Sequence, residues 1–199
     1  MRARDYFDAE MREHDEVFRA TRSRLRDEFV AMLGAWADTV RSGGKILLFG
    51  NGGSAADAQH LATELTVRYS CNRTPIAAIA LTTDTSALTA AGNDLGFETI
   101  FARQVEALGH PCDLAVGIST SGRSANVIEA LRTARRLGLG AAALTGGDGG
   151  DLAGLADPIL IVPSRRTSRI QEMHITLGQM LCGALEIELG LVAAEPEAV

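Results

Sequence analysis

The sequence has no excess of basic residues and no long hydrophobic run. Its 199 residues carry 19 Lys and Arg against 25 Asp and Glu, which gives a formal net charge of −6. This charge argues against non-specific binding to nucleic acids, whose phosphates require a basic surface. No apolar run reaches the roughly 18 residues that a membrane span needs, and the first residues lack the apolar core of a signal peptide. We therefore expect neither membrane association nor direct nucleic-acid binding.

Cysteine is also scarce. The chain has three cysteines, Cys71, Cys112 and Cys182, and no two of them form a Cys-x-x-Cys pair. An odd number without metal-ligand spacing predicts free thiols in a reducing compartment, so we expect a cytoplasmic protein without a disulfide framework. The remaining composition, 46% apolar and 22% charged, is ordinary for a globular domain and argues against disorder.

The chain alternates between short apolar runs and helical segments. Residues 4–41 show apolar side chains at helical spacing and predict two helical segments. Five short runs follow that are continuously apolar, as expected for parallel strands buried on both faces. They lie at 45–50, 75–81, 113–119, 140–146 and 158–164. Helices are predicted at 54–70, 85–108, 124–137, 149–156 and 165–190. This order predicts a doubly wound, five-stranded parallel α/β sheet that binds ligands at the carboxyl ends of its strands.

The stretch LLFGNGGSAADAQHLATEL combines a buried strand, a glycine turn and the start of a helix. Its two adjacent glycines permit a tight turn, and the amides of the helix that begins at Ser54 attract anions. His60 and Glu64 follow at positions i and i+4 and project from the same helical face. An anion site beside a His/Glu pair predicts chemistry on a phosphorylated small molecule.

A second loop, GISTSGRSANVI, leaves a predicted strand and enters a helix. It places four hydroxyl groups around one glycine, from Ser119, Thr120, Ser121 and Ser124. Hydroxyl and amide donors can bind a phosphate dianion without a lysine. In the alternative interpretation Ser124 only caps the helix and the other hydroxyls fill a turn, but capping needs a single hydroxyl. We therefore predict a phosphate site in this loop.

The last predicted helix is apolar apart from a few polar residues, among them Gln171, His174 and Gln179. At 100° per residue, Gln171 and Gln179 lie about 80° apart around the helix, whereas His174 lies about 140° from Gln179. The two glutamines can therefore share a face. His174 points elsewhere and is interpreted as a structural residue.

At these residues the chain closely resembles bacterial sedoheptulose 7-phosphate isomerases (phosphoheptose isomerases), members of the sugar isomerase (SIS) domain superfamily. The resemblance extends to about residue 191 and is carried by six segments, at 51–68, 80–94, 97–109, 117–128, 144–157 and 169–175. It implies a single SIS domain over residues 1–199 with flavodoxin-like topology. In that domain, residues 1–41 contribute to oligomer packing and residues 42–192 form the α/β core. It also implies a homotetramer with active sites at subunit interfaces, and frequently one Zn²⁺ per subunit.

The resemblance further implies roles for individual residues. The substrate contacts would be Asn51, Gly52, Gly53, Ser54, Arg68, Asn93, Asp94, Ser119, Thr120, Ser121, Ser124 and Gln171. The four hydroxyl residues among them would hold the phosphate. Glu64 matches the catalytic acid/base, and His60, Glu64 and Gln171 match three of the four metal ligands.

Two positions depart from the family pattern, and both lie at the reacting centre. The fourth metal position, which is also the second acid/base, is normally a histidine and is Gln179 here. An aspartate that usually precedes the metal-site glutamine by three residues is Ser168. Glutamine has no titratable proton, but it can hydrogen-bond an enediolate oxygen or offer a carbonyl oxygen to a metal. It is a weaker zinc ligand than imidazole.

Three functions are consistent with this sequence. In the first, the chain converts sedoheptulose 7-phosphate into a D-glycero-heptose 7-phosphate through an enediol, with Glu64 as the base. In the second, it is a non-catalytic SIS-domain regulator that binds a protein partner such as the replication initiator DnaA. In the third, it isomerises another sugar phosphate. We favour the first function because Glu64, Gln171 and the whole phosphate loop are present.

Overall fold

The five apolar runs form the strands of one parallel sheet. The structure, a computed structural model, describes residues 2–193. The strands are β1 (Ile46–Gly50), β2 (Ala78–Ala80), β3 (Leu114–Ser119), β4 (Gly140–Gly146) and β5 (Ile159–Val162). Their order across the sheet is β2-β1-β3-β4-β5, and every pairing is parallel. The predicted doubly wound fold with flavodoxin-like strand order is therefore confirmed.

Helices connect the strands and cover both faces of the sheet. They are α1 (Ala3–Arg24), α2 (Arg26–Arg41), α3 (Gly53–Thr66), α4 (Thr85–Asp94), α5 (Ala102–Leu108), α6 (Ala125–Arg136) and α7 (Thr167–Glu188). The two predicted N-terminal segments are confirmed as α1 and α2. The single helix predicted at 85–108 is wrong, because Gly96 adopts a φ of +99° and divides it into α4 and α5. The helix predicted at 149–156 is only a 3-10 segment, Gly150–Gly154.

Each of the two faces of the sheet packs against its own hydrophobic core. Leu48 and Phe49 are neighbours on β1 and point to opposite faces, and both are fully buried. The core around Leu48 includes Trp36 of α2, and the α3 and α7 helices pack in the same layer. The core around Phe49 includes Phe101, whose ring centroid lies 5.5 Å from that of Phe49. This two-sided burial explains why the strand sequences are continuously apolar.

The strand order reverses between β1 and β3, which are neighbours in the sheet. The chain leaves β1 toward β2 on one side, whereas it leaves β3 toward β4 on the other. In such folds the crevice at the carboxyl ends of these two strands is the ligand site. The register pairs Gly50 with Ile118, so the glycine turn and the hydroxyl loop emerge side by side.

The cysteines do not form a reactive centre. Cys71 and Cys112 are exposed, Cys182 is buried, and all three are free, as predicted. Burial raises the pKa of the Cys182 thiol to about 12, and the nearby carboxylates of Glu64 and Glu186 act in the same direction. This thiol therefore stays protonated and is not a nucleophile. Along residues 2–193, no helix combines the length and apolarity needed to cross a membrane.

Candidate active site

A closed pair of amides joins the two ligand loops. Asn51, directly after β1, and Asn126, in the first turn of α6, each donate an N–H to the other's carbonyl oxygen at 2.8 Å. Asn126 is buried. The amide of Asn51, a predicted substrate contact, thus also sets the distance between the glycine turn and the hydroxyl loop. The sequence motifs do not single out Asn126.

We expect the Asn126→Asp substitution to weaken this link. A carboxylate has no N–H to donate, so it leaves the Asn51 carbonyl unsatisfied and faces it with a charge. The unfolding free energy should fall by about 1–3 kcal/mol, the usual cost of a buried unsatisfied group. The KM for a sugar phosphate should rise about tenfold, because the two loops lose their common register. Denaturant unfolding and steady-state kinetics measure these effects, and an unchanged KM would contradict the coupling.

The four predicted phosphate-binding hydroxyls lie together at the end of β3. Ser119 is buried, and its Oγ lies 3.0 Å from Oγ of Ser124, within hydrogen-bond distance. Ser124 occupies the N-cap position of α6, but its side chain accepts no hydrogen bond from that helix. Exposed Ser121 accepts a hydrogen bond from the Arg123 amide at 3.2 Å. The capping interpretation is therefore not supported, and the hydroxyls surround the start of α6 as an anion site requires.

A neighbouring loop after β4 supports this phosphate loop from behind. Gly122 has a φ of +65°, and a Cβ placed on it would lie 2.0 Å from the carbonyl oxygen of Gly149. The Asp151 amide donates to the Gly122 carbonyl at 3.0 Å, and Arg123 pairs with Asp148 at 2.8 Å. The Arg123 guanidinium lowers the pKa of Asp148 to about 2. Sequence reasoning assigned this loop no role, although its TGGDGG glycine cluster signals such a close backbone approach.

The reacting centre brings α3 and α7 together. On α3, Nε2 of His60 lies 3.0 Å from Oε1 of Glu64. On α7, the amide of Gln179 lies 3.1 Å from the same nitrogen. His60 is 47% exposed and Glu64 only 19%, so the carboxylate lies deeper than the imidazole. These contacts bring Gln179 of the last helix beside the His60/Glu64 pair, and its role in a site stays a prediction.

The contacts of His60 Nε2 define how the three groups share protons. When Nε2 carries the ring proton, this N–H donates a hydrogen bond to Oε1 of Glu64. The Gln179 atom that lies 3.1 Å from Nε2 is the amide nitrogen, which donates to Nε2 when the ring proton is on Nδ1 instead. The imidazole nitrogen thus lies between a carboxylate oxygen and an amide group.

Gln171 reaches the glycine turn rather than His60. A Cβ at Gly53 would lie 2.5 Å from the Gln171 amide nitrogen, so this side chain lies directly on the first residue of α3. The two glutamines of α7 therefore meet the two ends of the predicted site on α3, as their shared face predicts. A larger residue at position 53 would displace the Gln171 amide.

Three further predicted substrate contacts, Arg68, Asn93 and Asp94, are exposed, whereas Ser54 at the start of α3 is buried. Arg68 lies beyond the end of α3, and the Asn93 amide donates to Oδ1 of Asp94 at 2.7 Å at the end of α4. A cavity of about 460 Å³ separates α4 from the glycine turn, and its lining includes Gly52 and Gly92. Asn93 and Asp94 follow Gly92, a residue of this lining, in the chain.

Asp57 adds a carboxylate to the polar face of α3, one turn before His60. Burial raises the pKa of Asp57, and the His60 charge opposes part of that rise. Its Oδ2 atom is buried and, among residues 2–193, has no hydrogen-bond partner. Sequence reasoning missed this residue, although its spacing of three and seven residues from His60 and Glu64 places all three on one face.

His174 is structural, as predicted. Its ring is fully buried, and Nε2 lies 3.0 Å from the carbonyl oxygen of Thr145 on β4. A carbonyl oxygen only accepts, so Nε2 carries the proton and Nδ1 is unprotonated. Burial lowers the pKa of His174 to about 4.

This pKa predicts an acid-sensitive fold. The unfolded chain takes up a proton at this histidine below its ordinary pKa of 6.5, whereas the folded chain resists protonation down to about 4. Stability is therefore complete above pH 6.5 and falls as the pH drops toward 4. Between pH 7 and pH 5 the loss should be about 2 kcal/mol. Urea unfolding at both pH values tests this, and the His174→Gln variant should show a correspondingly smaller difference.

Comparisons with known proteins show the family of this chain. Residues 11–146 match the SIS domain family. The chain is 55% identical over 186 residues to a phosphoheptose isomerase of Paramagnetospirillum magneticum, covering 94% of this chain and 97% of that relative. The chain belongs to the phosphoheptose isomerase family. Membership of this family confirms the predicted resemblance and the predicted enzyme class, a sugar-phosphate isomerase.

Solved structures of the phosphoheptose isomerase family share the whole fold. The structure from Neisseria gonorrhoeae matches with a TM-score of 0.88 and 44% identity, and covers 94% of this chain and 100% of its own. The structure from Francisella tularensis matches with a TM-score of 0.91 and 35% identity over the same shares. The arrangement of strands and helices that positions the site is therefore the family's own.

Proposed function

We propose that this chain converts sedoheptulose 7-phosphate into a D-glycero-heptose 7-phosphate. The proposal rests on the contacts that His60 makes with Glu64 on α3 and with Gln179 on α7. The first turn of the same α3 helix faces the phosphate loop. Isomerisation of a ketose phosphate needs an anchored phosphate and a carboxylate base at the opposite end of the sugar. This site supplies both.

The length of the site favours a long substrate. Ser54 and Glu64 are ten residues apart on α3, which corresponds to about 15 Å along the helix axis. The Glu64 side chain leans back toward the helix N-terminus and shortens that separation. An extended seven-carbon sugar with its phosphate at the hydroxyl loop and its C1 end toward Glu64 suits this spacing better than a shorter sugar.

In this proposal Glu64 transfers the proton. It removes a proton from C1 of the ketose while the C2 carbonyl oxygen takes up a proton, which gives an enediol. It then returns the proton to C2 while the O1 hydroxyl loses its proton, which gives the aldose. Partial burial of Glu64 limits competition from water for the same proton. Without a metal ion, His60 holds the carboxylate in place, because a protonated Nε2 donates to Oε1 of Glu64; a metal ion bound at Nε2 would replace this hydrogen bond.

Gln179 replaces an acid with a hydrogen-bonding amide. It has no proton to give up, so the developing oxygen charge is stabilised by its N–H group rather than neutralised. We therefore expect slower turnover than a histidine at this position would allow. The adjacent His60 remains available to exchange a proton with the sugar oxygens, since it is half-exposed.

The donor set fits a zinc ion. Oε1 of Glu64 and the Gln179 amide nitrogen lie 3.0 and 3.1 Å from Nε2 of His60, a spacing compatible with one ion that contacts all three side chains at about 2.0–2.2 Å. These three residues would hold the ion, whereas Gln171, the fourth ligand that the resemblance implies, lies on Gly53 instead. When bound, it supplies a Lewis acid that polarises the sugar carbonyl. Since no three His, Cys, Asp or Glu side chains cluster within residues 2–193, binding depends on the Gln179 amide and is weak.

A homotetramer with sites at subunit interfaces is part of the proposal. Helix α1 exposes Tyr6, Phe7 and Met11, which supports packing against another subunit. A groove of about 340 Å³ between α1, α2 and α7 is lined in part by Phe29 and by Met180, the neighbour of Gln179. A subunit seated there would border the reacting centre. The cytoplasmic location stays a prediction.

The test is turnover of sedoheptulose 7-phosphate by the purified chain. Parallel reactions contain zinc or a chelator, and the aldose phosphate is identified by NMR. We expect a D-glycero-heptose 7-phosphate in both reactions, at a higher rate with zinc. Turnover of a six-carbon ketose phosphate without turnover of sedoheptulose 7-phosphate would contradict the proposed substrate and favour another sugar phosphate.

A further inference from the structure

A buried ion pair ties the far end of α3 to α7. Arg73 lies between α3 and β2, and its Nε donates to Oε1 of Glu186 on α7 at 2.7 Å. Both side chains are only 1% exposed. Desolvating two charges is costly, and Oε2 of Glu186 is buried without a hydrogen-bond partner among residues 2–193, so a role in stability alone does not account for this pair.

The other N–H groups of Arg73 bind the last carbonyls of α3. Nη2 donates to the backbone oxygen of Glu64 at 2.7 Å, and Nη1 donates to that of Leu65 at 2.7 Å. The final carbonyls of a helix have no partner within the helix, and a cation there also complements the helix dipole. Arg73 thus caps α3 at the residue that carries the carboxylate base.

Glu186 holds the chain that follows α3. Its Oε1 also accepts a hydrogen bond from the Tyr69 amide at 3.0 Å. The Tyr69 ring lies on α7 at Gly183, where a Cβ would be 2.8 Å from the ring. A second close approach occurs at Gly178, beside Gln179, where a Cβ would be 2.6 Å from Leu61 of α3. Helices α3 and α7, with the chain that follows α3, are therefore closely packed from the reacting centre to the ion pair.

We infer that Arg73 and Glu186 are positioning residues. They fix the axial position of α3 relative to α7, and with it the position of Glu64 relative to Gln179. Glu186 follows Gln179 by seven residues, or about two helical turns, and Arg73 bonds to Glu64 itself. A slip of α3 along α7 would move His60 and Glu64 together away from Gln179. The inference rests on the proposed function, in which Glu64 transfers the proton.

The Arg73→Lys and Glu186→Asp variants test the inference. Lysine keeps the charge but cannot reach the carboxylate and both carbonyls at once, and aspartate is one methylene too short to bond both Arg73 and Tyr69. We expect kcat for sedoheptulose 7-phosphate to fall about tenfold or more in each variant, with KM within about twofold, because small misplacements of a reacting group are costly. Amide hydrogen exchange should accelerate in the last turn of α3.

A matched control is the ion pair of Lys45 with Asp113. It joins the amino ends of β1 and β3, away from the site, with Nζ 2.5 Å from the nearly buried carboxylate. Asp113→Asn should lower the melting temperature without changing kcat. If Arg73→Lys and Glu186→Asp behave like this control, the inference is overturned. A wild-type chain without turnover would instead refute the proposed function, and the positioning role with it.

Discussion

The Glu64→Gln substitution is expected to lower kcat for sedoheptulose 7-phosphate by about a thousandfold. Glutamine keeps the shape of the side chain and accepts the same hydrogen bond from His60 Nε2, whose distance to Oε1 is 3.0 Å in the parent chain. It cannot take a proton from carbon, and loss of a general base typically costs 10²- to 10⁴-fold. KM should change little, because the phosphate loop is untouched. Steady-state kinetics with the purified variant measure both constants.

Another His–Glu pair provides the control for this substitution. Glu172 on α7 lies 2.7 Å from Nδ1 of His14 on α1 and is also partly exposed. Glu172→Gln removes a comparable charge without touching the proposed base, so its kcat should stay within about twofold of the parent value. Equal losses of kcat in Glu64→Gln and Glu172→Gln would show a general effect of charge removal rather than loss of a base.

The Gly122→Ala substitution is expected to disrupt the phosphate loop. The new methyl group would lie 2.0 Å from the Gly149 carbonyl oxygen, at a φ of +65° that alanine rarely adopts. Strain and overlap together should lower the unfolding free energy by about 3 kcal/mol or more. The KM should rise at least tenfold, because the Ser121 and Ser124 hydroxyls flank the displaced residue. Chemical denaturation and a substrate titration test the two effects.

Gly43→Ala separates backbone strain from overlap. Gly43 has a similar φ of +76°, and a Cβ placed there meets nothing within 4 Å. It follows α2, away from the hydroxyl loop, so alanine should cost about 1–2 kcal/mol of stability and leave KM unchanged. If Gly122→Ala has no larger effect on KM than Gly43→Ala, the loop after β4 does not support the phosphate site.

Local patterns in the sequence predict most of the fold. The strands are identified by continuous apolarity because both of their faces are buried, as Leu48 and Phe49 show. The break between α4 and α5 is not predicted, because one glycine is tolerated in many helices and the φ of Gly96 depends on how the chain packs. The segment predicted as a helix at 149–156 is a short 3-10 segment for a related reason, since glycines 147, 149 and 150, before and at its start, have positive φ values.

The site divides in the same way between local and long-range features. The hydroxyl loop and the His60/Glu64 pair are predicted because their spacing within one loop or one helix is sufficient. The Asn51–Asn126 pair spans 75 positions and the Arg73–Glu186 pair spans 113. Such contacts depend on which faces meet after folding, and neither residue type signals its partner. The contact of Gln179 with His60 is expected only because the resemblance places both at one metal site.

A comparison of the parent chain with the Gln179→His variant tests most directly whether the cluster of His60, Glu64 and Gln179 is a working isomerase site. The parent chain and the Gln179→His variant are assayed side by side on sedoheptulose 7-phosphate, with zinc present. We predict turnover by the parent chain and a kcat about 10- to 100-fold higher in the variant, since imidazole adds a general acid. No turnover by the parent chain, beside clear turnover by Gln179→His, would contradict the account and favour a non-catalytic, partner-binding SIS-domain protein.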